Sequence, residues 1–163
     1  MKCYEEIGLP GAMGLVDVVH VKWCNCPSSD FNHAKGKESY PSLAFECISD
    51  FNRCICSVYG LSFGSRNNKH IVKNDVGVRS VADKKEKYSS IKWNHFDENG
   101  KVKTEEGAYL ICNNGYLQWA TLICPFMQSE TNGEYEKCFS GNLESVCKDV
   151  GCVFGILKGR FGY

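Results

Sequence analysis

The sequence has no surplus charge of either sign, no long apolar run and no internal repeat. Lys and Arg together number 19, and so do Asp and Glu, so the formal net charge is zero. A strongly basic nucleic-acid binder is excluded, because neutralising phosphates takes an excess of cations, although a local basic patch stays open. No apolar stretch approaches the roughly 18–20 residues of a membrane span, and the N-terminal MKCYEE lacks the apolar core of a signal peptide. We therefore expect an intracellular protein without a membrane partner.

Several signatures of catalysis and of cofactor binding are also missing. The sequence contains no phosphate-cradling Gly-rich loop and no nucleophile elbow, and its four His residues show no metal-ligand spacing. We therefore expect no small-molecule cofactor. Cysteine, in contrast, is abundant, with 11 residues that include three close pairs, Cys24/Cys26, Cys54/Cys56 and Cys147/Cys152. Because no matching His pair follows them, we interpret the cysteines as reduced, small apolar side chains, with structural zinc as the alternative.

Hydrophobic patterning predicts a mixed α/β or α+β fold. Alternating and β-branched runs predict strands over residues 15–23, 42–48, 54–59, 108–112 and 122–124. The first three strands are expected to form an antiparallel meander, because their connections suit neighbouring strands. The fourth reads as a strand that is buried on both faces of a sheet.

Helices and loops are predicted around these strands. A short helix is expected over residues 64–73, and residues 75–106 read as a polar insertion with a hairpin turn at 97–100. A polar loop is expected over residues 126–141. Apolar residues at steps of three and four predict a final amphipathic helix that begins near Asn142, which would cap it. Lys158 and Arg160 would lie near its end, where cations suit the helix dipole.

Five motifs in order give the chain a resemblance to a known family. Residues 11–20 (GAMGLVDVVH), 40–46 (YPSLAFE), 64–68 (GSRNN), 112–116 (CNNGY) and 150–161 (VGCVFGILKGRF) span nearly the whole chain. They resemble the G-x-x-G-x-x-D-x-x-H, second-strand, G-S-x-x-D, G-D-x-G-Y and V-E-x-x-F-G-x-L-K-x-R-F segments of PIF/Harbinger-type DDE transposases, the group that includes plant transposon proteins. Each motif is weak alone, and the order of all five makes the match specific.

The resemblance implies an RNase H-like core with a mixed five-stranded sheet flanked by helices. It also implies DNA cleavage by two divalent ions, Mg²⁺ or Mn²⁺, held by three carboxylates. DNA would be the substrate, a separate Myb-like protein a partner, and the nucleus the location. On this resemblance we expect residues 1–163 to form one truncated domain without the upstream DNA-binding region of such transposases.

The acids implied by the resemblance are mostly replaced in this chain. Asp17 matches the first acid, Asn113 stands at the second and Gly151 at the third, while Asn68 replaces the acid of G-S-x-x-D. An Asn oxygen carries no charge and would hold a metal weakly, and Gly offers no side-chain ligand. Metal binding would therefore rest on Asp17, with weak help from Asn113. We expect binding to be impaired or lost and the chain to be a catalytically degenerate pseudoenzyme.

Other acids near these positions are poor substitutes for the missing ones. Asp149 lies about 200° around the helix from Gly151, and Glu144 about 10 Å further along its axis. The directions of Glu46 and Asp50 near the sheet stay open. His20 alternates away from Asp17 along the first strand, so a histidine of the core or bonded to a loop is the preferred interpretation.

Two other functions stay open beside the degenerate transposase. One is a working endonuclease that uses Asp17 with substitute ligands. The other is a non-enzymatic protein- or DNA-interaction module, for which Trp93 and Phe96 of the insertion are candidate anchors. The preferred interpretation of these two rings is that they pack on their own hairpin.

Overall fold

A computed structural model of the chain describes residues 2–127 and 133–162. The strands are β1 (Ala12–Lys22), β2 (Ser42–Ser49), β3 (Ile55–Phe63), β4 (Lys92–Phe96), β5 (Val102–Glu106), β6 (Tyr109–Ile111) and β7 (Leu122–Ile123). The helices are α1 (Lys2–Glu6), α2 (Phe31–Ala34), α3 (Asn68–Ile71), α4 (Val76–Ala82), α5 (Glu86–Ser89) and α6 (Glu134–Phe161). No helix in this part of the chain is long and apolar enough to cross a membrane.

The five main strands form one mixed sheet in the order β3-β2-β1-β6-β7. Strands β1, β2 and β3 pair antiparallel as a meander, while β6 runs parallel to β1 and β7 parallel to β6. This arrangement confirms the predicted mixed five-stranded sheet, with helices on its two faces, and it agrees with an RNase H-like core. The buried central position of β6 accounts for its uninterrupted apolar run.

The sheet separates two apolar clusters, because successive side chains of a strand point to opposite faces. On one face Leu15 and Val19 of β1 pack against Leu143 and Val150 of α6. On the other face Val16 and Ile48 join Val72 and the α4 residues Val78 and Val81. Strand β1 therefore contributes to both layers, and Asp17 shares the α6 face with Leu15 and Val19.

The final helix begins eight residues before the predicted start. Helix α6 spans Glu134–Phe161 with Gly133 at its N-cap, so the prediction of a loop is wrong for residues 134–141, and Asn142 lies inside the helix. The first turns of α6 carry few apolar residues, so the sequence does not show the helical spacing of apolar side chains there. Contacts with the rest of the fold hold them instead, since the Ser140 hydroxyl is buried and accepts a hydrogen bond from the Phe126 N–H at 3.1 Å.

The region 75–106 combines a core helix with a surface hairpin. Val78 and Val81 of α4 are each no more than 1% exposed, so the prediction of a surface insertion is wrong for this helix. Only two of its residues reach the core, too few to stand out among charged neighbours. The hairpin of β4 and β5 is confirmed, with its turn closed by the Asp97 N–H bonded to the Lys101 carbonyl.

Besides α4, three short helices lie where no helix was predicted. Helix α1 has five residues, and α2 and α5 have four each, all too short to show helical periodicity. The predicted helix over 64–73 is confirmed in part, since α3 covers only Asn68–Ile71 and is capped by the Asn67 side chain. The glycine at position 64 packs against α2 and β2, and a Cβ there would collide with Ser42 Oγ and Ala34 O.

Candidate functional site

A surface cleft of 600 Å³ gathers the three motif positions that are far apart in sequence. Asp17 comes from the middle of β1, Asn113 from the turn after β6, and Gly151 from α6. The parallel pairing of β1 with β6 places the first two side by side, and α6 crosses that face of the sheet. The other lining residues are Val16, Asn114, Gly115, Pro125, Glu144, Cys147, Lys148 and Val150.

Asp17 is a partly buried carboxylate that accepts two hydrogen bonds at one oxygen. The Val18 N–H donates to its Oδ1 at 2.8 Å, and the Asn113 side-chain amide donates to the same atom at 3.0 Å. Burial raises the pKa of Asp17, while the Val18 N–H, the Lys37 ammonium and the Asn113 amide lower it in part. The net rise in the pKa means that a proton on this carboxylate, or a cation beside it, is favoured.

Asn113 is oriented by a turn that it forms with Gly115. Its Oδ1 accepts the Gly115 N–H at 2.8 Å, which leaves the amide nitrogen to face Asp17. Because an amide has one acceptor end and one donor end, this choice is forced: only the oxygen can accept from Gly115. The side chain therefore presents N–H donors, not an oxygen ligand, to the carboxylate beside it.

Gly151 leaves a gap in the wall that α6 gives to the cleft. It is exposed, and a Cβ built on it would meet no atom within 4 Å. A longer side chain could therefore extend from this position without steric cost. Asn68, which stands where the resemblance implies the acid of G-S-x-x-D, lies at the margin of the site, because its amide and that of Asn113 both approach Gly115.

Two of the four acids considered as substitutes are engaged elsewhere. Asp149 forms a salt bridge with Arg53 at 2.8 Å and does not line the cleft. Asp50 closes the turn between β2 and β3, where its Oδ1 accepts the N–H groups of Asn52 and Cys54. These contacts support the view that neither replaces a missing acid.

Glu144 and Glu46 differ in their relation to the cleft. Glu144 lines the cleft together with Asp17, so it is the second carboxylate there, and Lys148 supplies a positive charge beside it. Glu46 pairs with Val18 across the strands, whereas Asp17 pairs with Cys47. Because neighbouring positions point to opposite faces, Glu46 faces away from Asp17 and cannot join it.

Glu46 belongs to a buried polar cluster that the sequence did not reveal. It is fully buried, Asp75 is 1% exposed and Tyr116 is 2% exposed. Burial, followed by the Asp75 carboxyl, raises the pKa of Glu46 to about 9. Its two oxygens make no well-formed hydrogen bond among the described residues, although Asp75 and Tyr116 are its polar neighbours. No local sequence signal marks this cluster, because its members come from β2, the N-cap of α4 and the turn after β6.

A second cleft, of 470 Å³, adjoins the first at Gly151 and carries positive charge. Lys37 and Lys158 line it together with His20 and one acid, Glu38, so the cations exceed the acids by one. The His20 Nδ1 lies 3.1 Å from the Ser42 hydroxyl, and burial, followed by the Lys37 ammonium, lowers the pKa of the ring. The histidine is thus tied to the neighbouring strand, in agreement with a structural role. Lys158 lies in the last turn of α6, as predicted.

The two aromatic residues of the hairpin have different surroundings. The Trp93 Nε1–H donates to the Gly107 carbonyl at 2.8 Å, and its ring packs edge-on against Tyr109. Phe96 is 74% exposed and lies opposite Val102, which is 55% exposed. Trp93 therefore packs partly on its own hairpin, near His95, and partly on Tyr109 of the main sheet. The prediction that both rings pack on their own hairpin is wrong for Phe96, which projects from the end of the hairpin.

The donor set of the cleft differs from the three acids of a two-metal centre. Among residues 2–127 and 133–162, no group of three or more His, Cys, Asp or Glu side chains is arranged to hold a metal ion. Asp17 is the one carboxylate at the three motif positions, and an amide donor faces it. The residues present therefore do not fit a pair of divalent ions.

Comparison with known proteins places the chain in a transposon-related group. No curated protein and no solved structure matches the sequence. The family model described as plant transposon protein matches residues 1–163, which is the whole sequence. The five motifs, the sheet order and this full-length match agree, and the chain belongs to the plant transposon protein family.

Proposed function

We propose that this chain derives from a PIF/Harbinger-type DDE transposase and has lost metal-dependent DNA cleavage. One observation carries the proposal: the Asn113 amide donates to Asp17 at the place where the resemblance implies a second carboxylate. In a working centre of this type, two carboxylates at this distance would repel each other and attract divalent cations. Here Asn113 and Asp17 form a hydrogen bond with each other, and the pair does not attract a divalent cation as two carboxylates would.

The position of Asn113 also removes its oxygen from use as a ligand. That oxygen accepts the Gly115 N–H, so turning the amide to offer it to a cation would break both of its hydrogen bonds. A neutral oxygen is in any case a weaker ligand for Mg²⁺ than a carboxylate. The loss at position 113 is therefore one of charge and of orientation together.

The third position supports the same proposal. Gly151 brings no ligand, and the charged groups that α6 gives to the cleft are Glu144 and Lys148. The cation that acts on Asp17 is Lys37, whose ammonium lowers the pKa of that carboxylate and so supplies part of the positive charge that a divalent ion would otherwise bring. We infer that the cleft is a remnant of the catalytic centre, in which the hydrogen bond between Asn113 and Asp17 stands in place of a metal-binding pair of acids.

Isothermal titration calorimetry with Mg²⁺ and Mn²⁺ tests the proposal, with the Asp17→Ala variant alongside. We expect no difference in binding heat between the two proteins, and no metal-dependent cutting of supercoiled plasmid DNA by either. Binding or cutting that disappears in Asp17→Ala would support the working endonuclease and reject the proposal. Lys69→Ala, an exposed change in α3, is the matched control for nonspecific effects.

A second candidate function is a non-enzymatic interaction module, favoured by the exposed pair Phe96 and Val102. These residues face each other across the hairpin and present an apolar surface at its end, and exposed aromatic side chains are frequent anchors of protein interfaces. A Myb-like protein in the nucleus is the partner that the resemblance suggests. DNA is the alternative partner, through Lys37, Lys148 and Lys158 around the two clefts.

A binding assay with purified Myb-like candidates and with duplex DNA separates these partners. Phe96→Ala is expected to weaken protein binding and to leave DNA binding unchanged, because the side chain lies on the hairpin. Lys37→Ala together with Lys158→Ala is expected to do the reverse. If Phe96→Ala leaves protein binding unchanged, and the double lysine variant leaves DNA binding unchanged, the proposal of an interaction module is rejected.

A further inference from the structure

Two cysteines from neighbouring strands meet next to the turn that carries Asn113. Strands β6 and β7 pair with Leu110 opposite Leu122 and Ile111 opposite Ile123, and Cys112 and Cys124 are the next residues of each strand. Their Sγ atoms are 2.9 Å apart, and both side chains lie in the apolar cluster on the α4 face of the sheet. The pair is separated by 11 residues in sequence and is brought together by the strand register.

The distance between the sulfurs is compatible with two chemistries, and the residues around the pair favour one of them. Two thiolates on one tetrahedral zinc, each about 2.3 Å from the metal, would lie about 3.8 Å apart. A disulfide requires about 2.05 Å between the sulfurs. The observed 2.9 Å lies midway between these values, so the sulfurs need to approach by only about 0.9 Å to form a disulfide. The pair also lacks further Cys or His ligands in a metal arrangement within the described residues.

The two thiols differ in access and in acidity. Cys112 is fully buried, whereas Cys124 is partly exposed and lines a surface cleft of 390 Å³. The hydrogen bond from Cys112 lowers the pKa of Cys124, while that contact and burial raise the pKa of Cys112. Cys124 is therefore the thiol that an oxidant from solvent reaches and that ionises first, with Cys112 behind it.

We propose that Cys112 and Cys124 are a redox-active pair that forms a reversible disulfide on exposure to a peroxide. The Cys124 thiolate attacks one peroxide oxygen, the O–O bond breaks, and a sulfenic acid and hydroxide result. The Cys112 thiol then attacks the sulfenic sulfur, the S–S bond forms, and the sulfenic oxygen leaves as water. In sum two thiols lose two electrons and two protons, and hydrogen peroxide becomes two molecules of water. A small dithiol returns the pair to its reduced form by exchange.

The disulfide would close a ring around the turn that forms part of the candidate site. The ring runs from residue 112 to 124 and includes Asn113, Gly115 and Tyr116. Closing a loop of this length restricts the unfolded chain, so the oxidised protein should melt roughly 5–10 °C higher than the reduced one. The thiol pair can react in this way whether or not the chain cuts DNA.

The sequence allows a direct chemical test on the full chain. Trypsin cleaves after Lys103 and Lys137, and the peptide 104–137 contains Cys112 and Cys124 and no other cysteine. The reduced protein is treated with stoichiometric hydrogen peroxide, unfolded, alkylated with iodoacetamide and digested. We expect this peptide to lose two hydrogen atoms and to take up no alkyl group, and dithiothreitol to restore both alkylation sites. Chymotryptic cleavage after Tyr116 and Trp119 should then leave one fragment with Cys112 and one with Cys124, and only reduction should separate these two.

Three variants separate this pair from the other thiols. Cys124→Ala is expected to abolish both the loss of hydrogen and the rise in melting temperature, and Cys112→Ala to do the same if the protein folds. Cys147→Ala, at a half-buried thiol near both, should change neither result. The proposal fails if peptide 104–137 keeps two alkylatable thiols at peroxide levels that already oxidise the exposed Cys24 and Cys138, or if Cys124 is found linked to Cys147.

Discussion

The Asn113 side chain donates a hydrogen bond to the Asp17 carboxylate, with Nδ2 3.0 Å from Oδ1. The two residues are 96 positions apart, and the parallel pairing of β1 with β6 brings them together. A carboxylate and an amide at this distance are mutually satisfied, whereas two carboxylates would need a proton or a cation between them. The chemistry of this pair leads to the first two predictions.

Asn113→Asp should destabilise the protein at neutral pH and less so in acid. The new carboxylate would face Asp17, and we expect a cost of about 1–3 kcal/mol in the free energy of unfolding at pH 7, since a partly buried charge loses its partner. Repulsion between Asp17 and the new carboxylate raises the pKa of this pair in the folded state. The folded protein is therefore less destabilised at low pH, where the pair holds a proton, and stability is lost as the pH rises. Urea denaturation at several pH values measures this.

Asn114→Asp is the matched control for that variant, because Asn114 is exposed and lines the same cleft. It adds the same charge without facing Asp17 and should change stability by less than about 0.5 kcal/mol. Equal losses in the two variants would show that charge in the cleft, and not the contact with Asp17, causes the effect.

Restoring two acids should create a metal site where the present residues do not fit one. In Asn113→Asp with Gly151→Glu, the longer side chain at 151 enters open space, because a Cβ there meets no atom within 4 Å. We expect Mn²⁺ and Mg²⁺ to give binding heat with this variant and to raise its melting temperature. Adding Asp17→Ala should remove both effects. Metal binding that survives this third change would place the ions elsewhere.

Glu46→Gln should flatten the dependence of stability on pH. The pKa of Glu46 is raised from 4.5 to about 9, so the folded state keeps a proton that the unfolded chain releases. Its contribution to stability is full below the ordinary pKa and is lost as the pH rises through the folded-state value. Glutamine keeps the shape and an N–H donor for Asp75 without ionising. Melting temperatures between about pH 5 and pH 9.5 should therefore fall less in the variant.

Glu98→Gln, in the exposed hairpin turn, is the control for that comparison and should keep the pH dependence of the unchanged protein. If Glu46→Gln melts with the same pH profile as the unchanged protein, Glu46 is not the group that takes up the proton on folding.

Gly155→Ala should stabilise the protein, whereas Gly64→Ala should destabilise it. Gly155 is an exposed residue inside α6 with no atom within 4 Å of an added Cβ, so alanine should add about 0.5–1 kcal/mol to the free energy of unfolding. At Gly64 the added carbon would collide with Ser42 and the Ala34 backbone. Chemical denaturation of both variants checks the opposite signs, and a gain at Gly64 would mean that this contact relaxes freely.

Much of the fold could be predicted from local pattern. The run of β-branched residues around Asp17 and the apolar run before Asn113 identified β1 and β6, because both patterns are typical of strands. The early turns of α6 and the short helix α4 were missed for a common reason. They reach the core through few residues, such as Ser140, Val78 and Val81, and their exposed surfaces show no apolar period.

The sequence by itself determined the family, the order of the main strands along the chain, and the presence of Asn113 and Gly151 where the resemblance implies acids. These follow from residue identity and local spacing, which do not depend on what lies across the sheet. Only the tertiary structure decided that Asn113 turns its amide nitrogen to Asp17, that Glu46 faces the opposite side with Asp75, and that Cys112 meets Cys124. Each of these contacts depends on strand register and on the helix covering each face, and a shift of one residue would send every side chain of that strand to the other side.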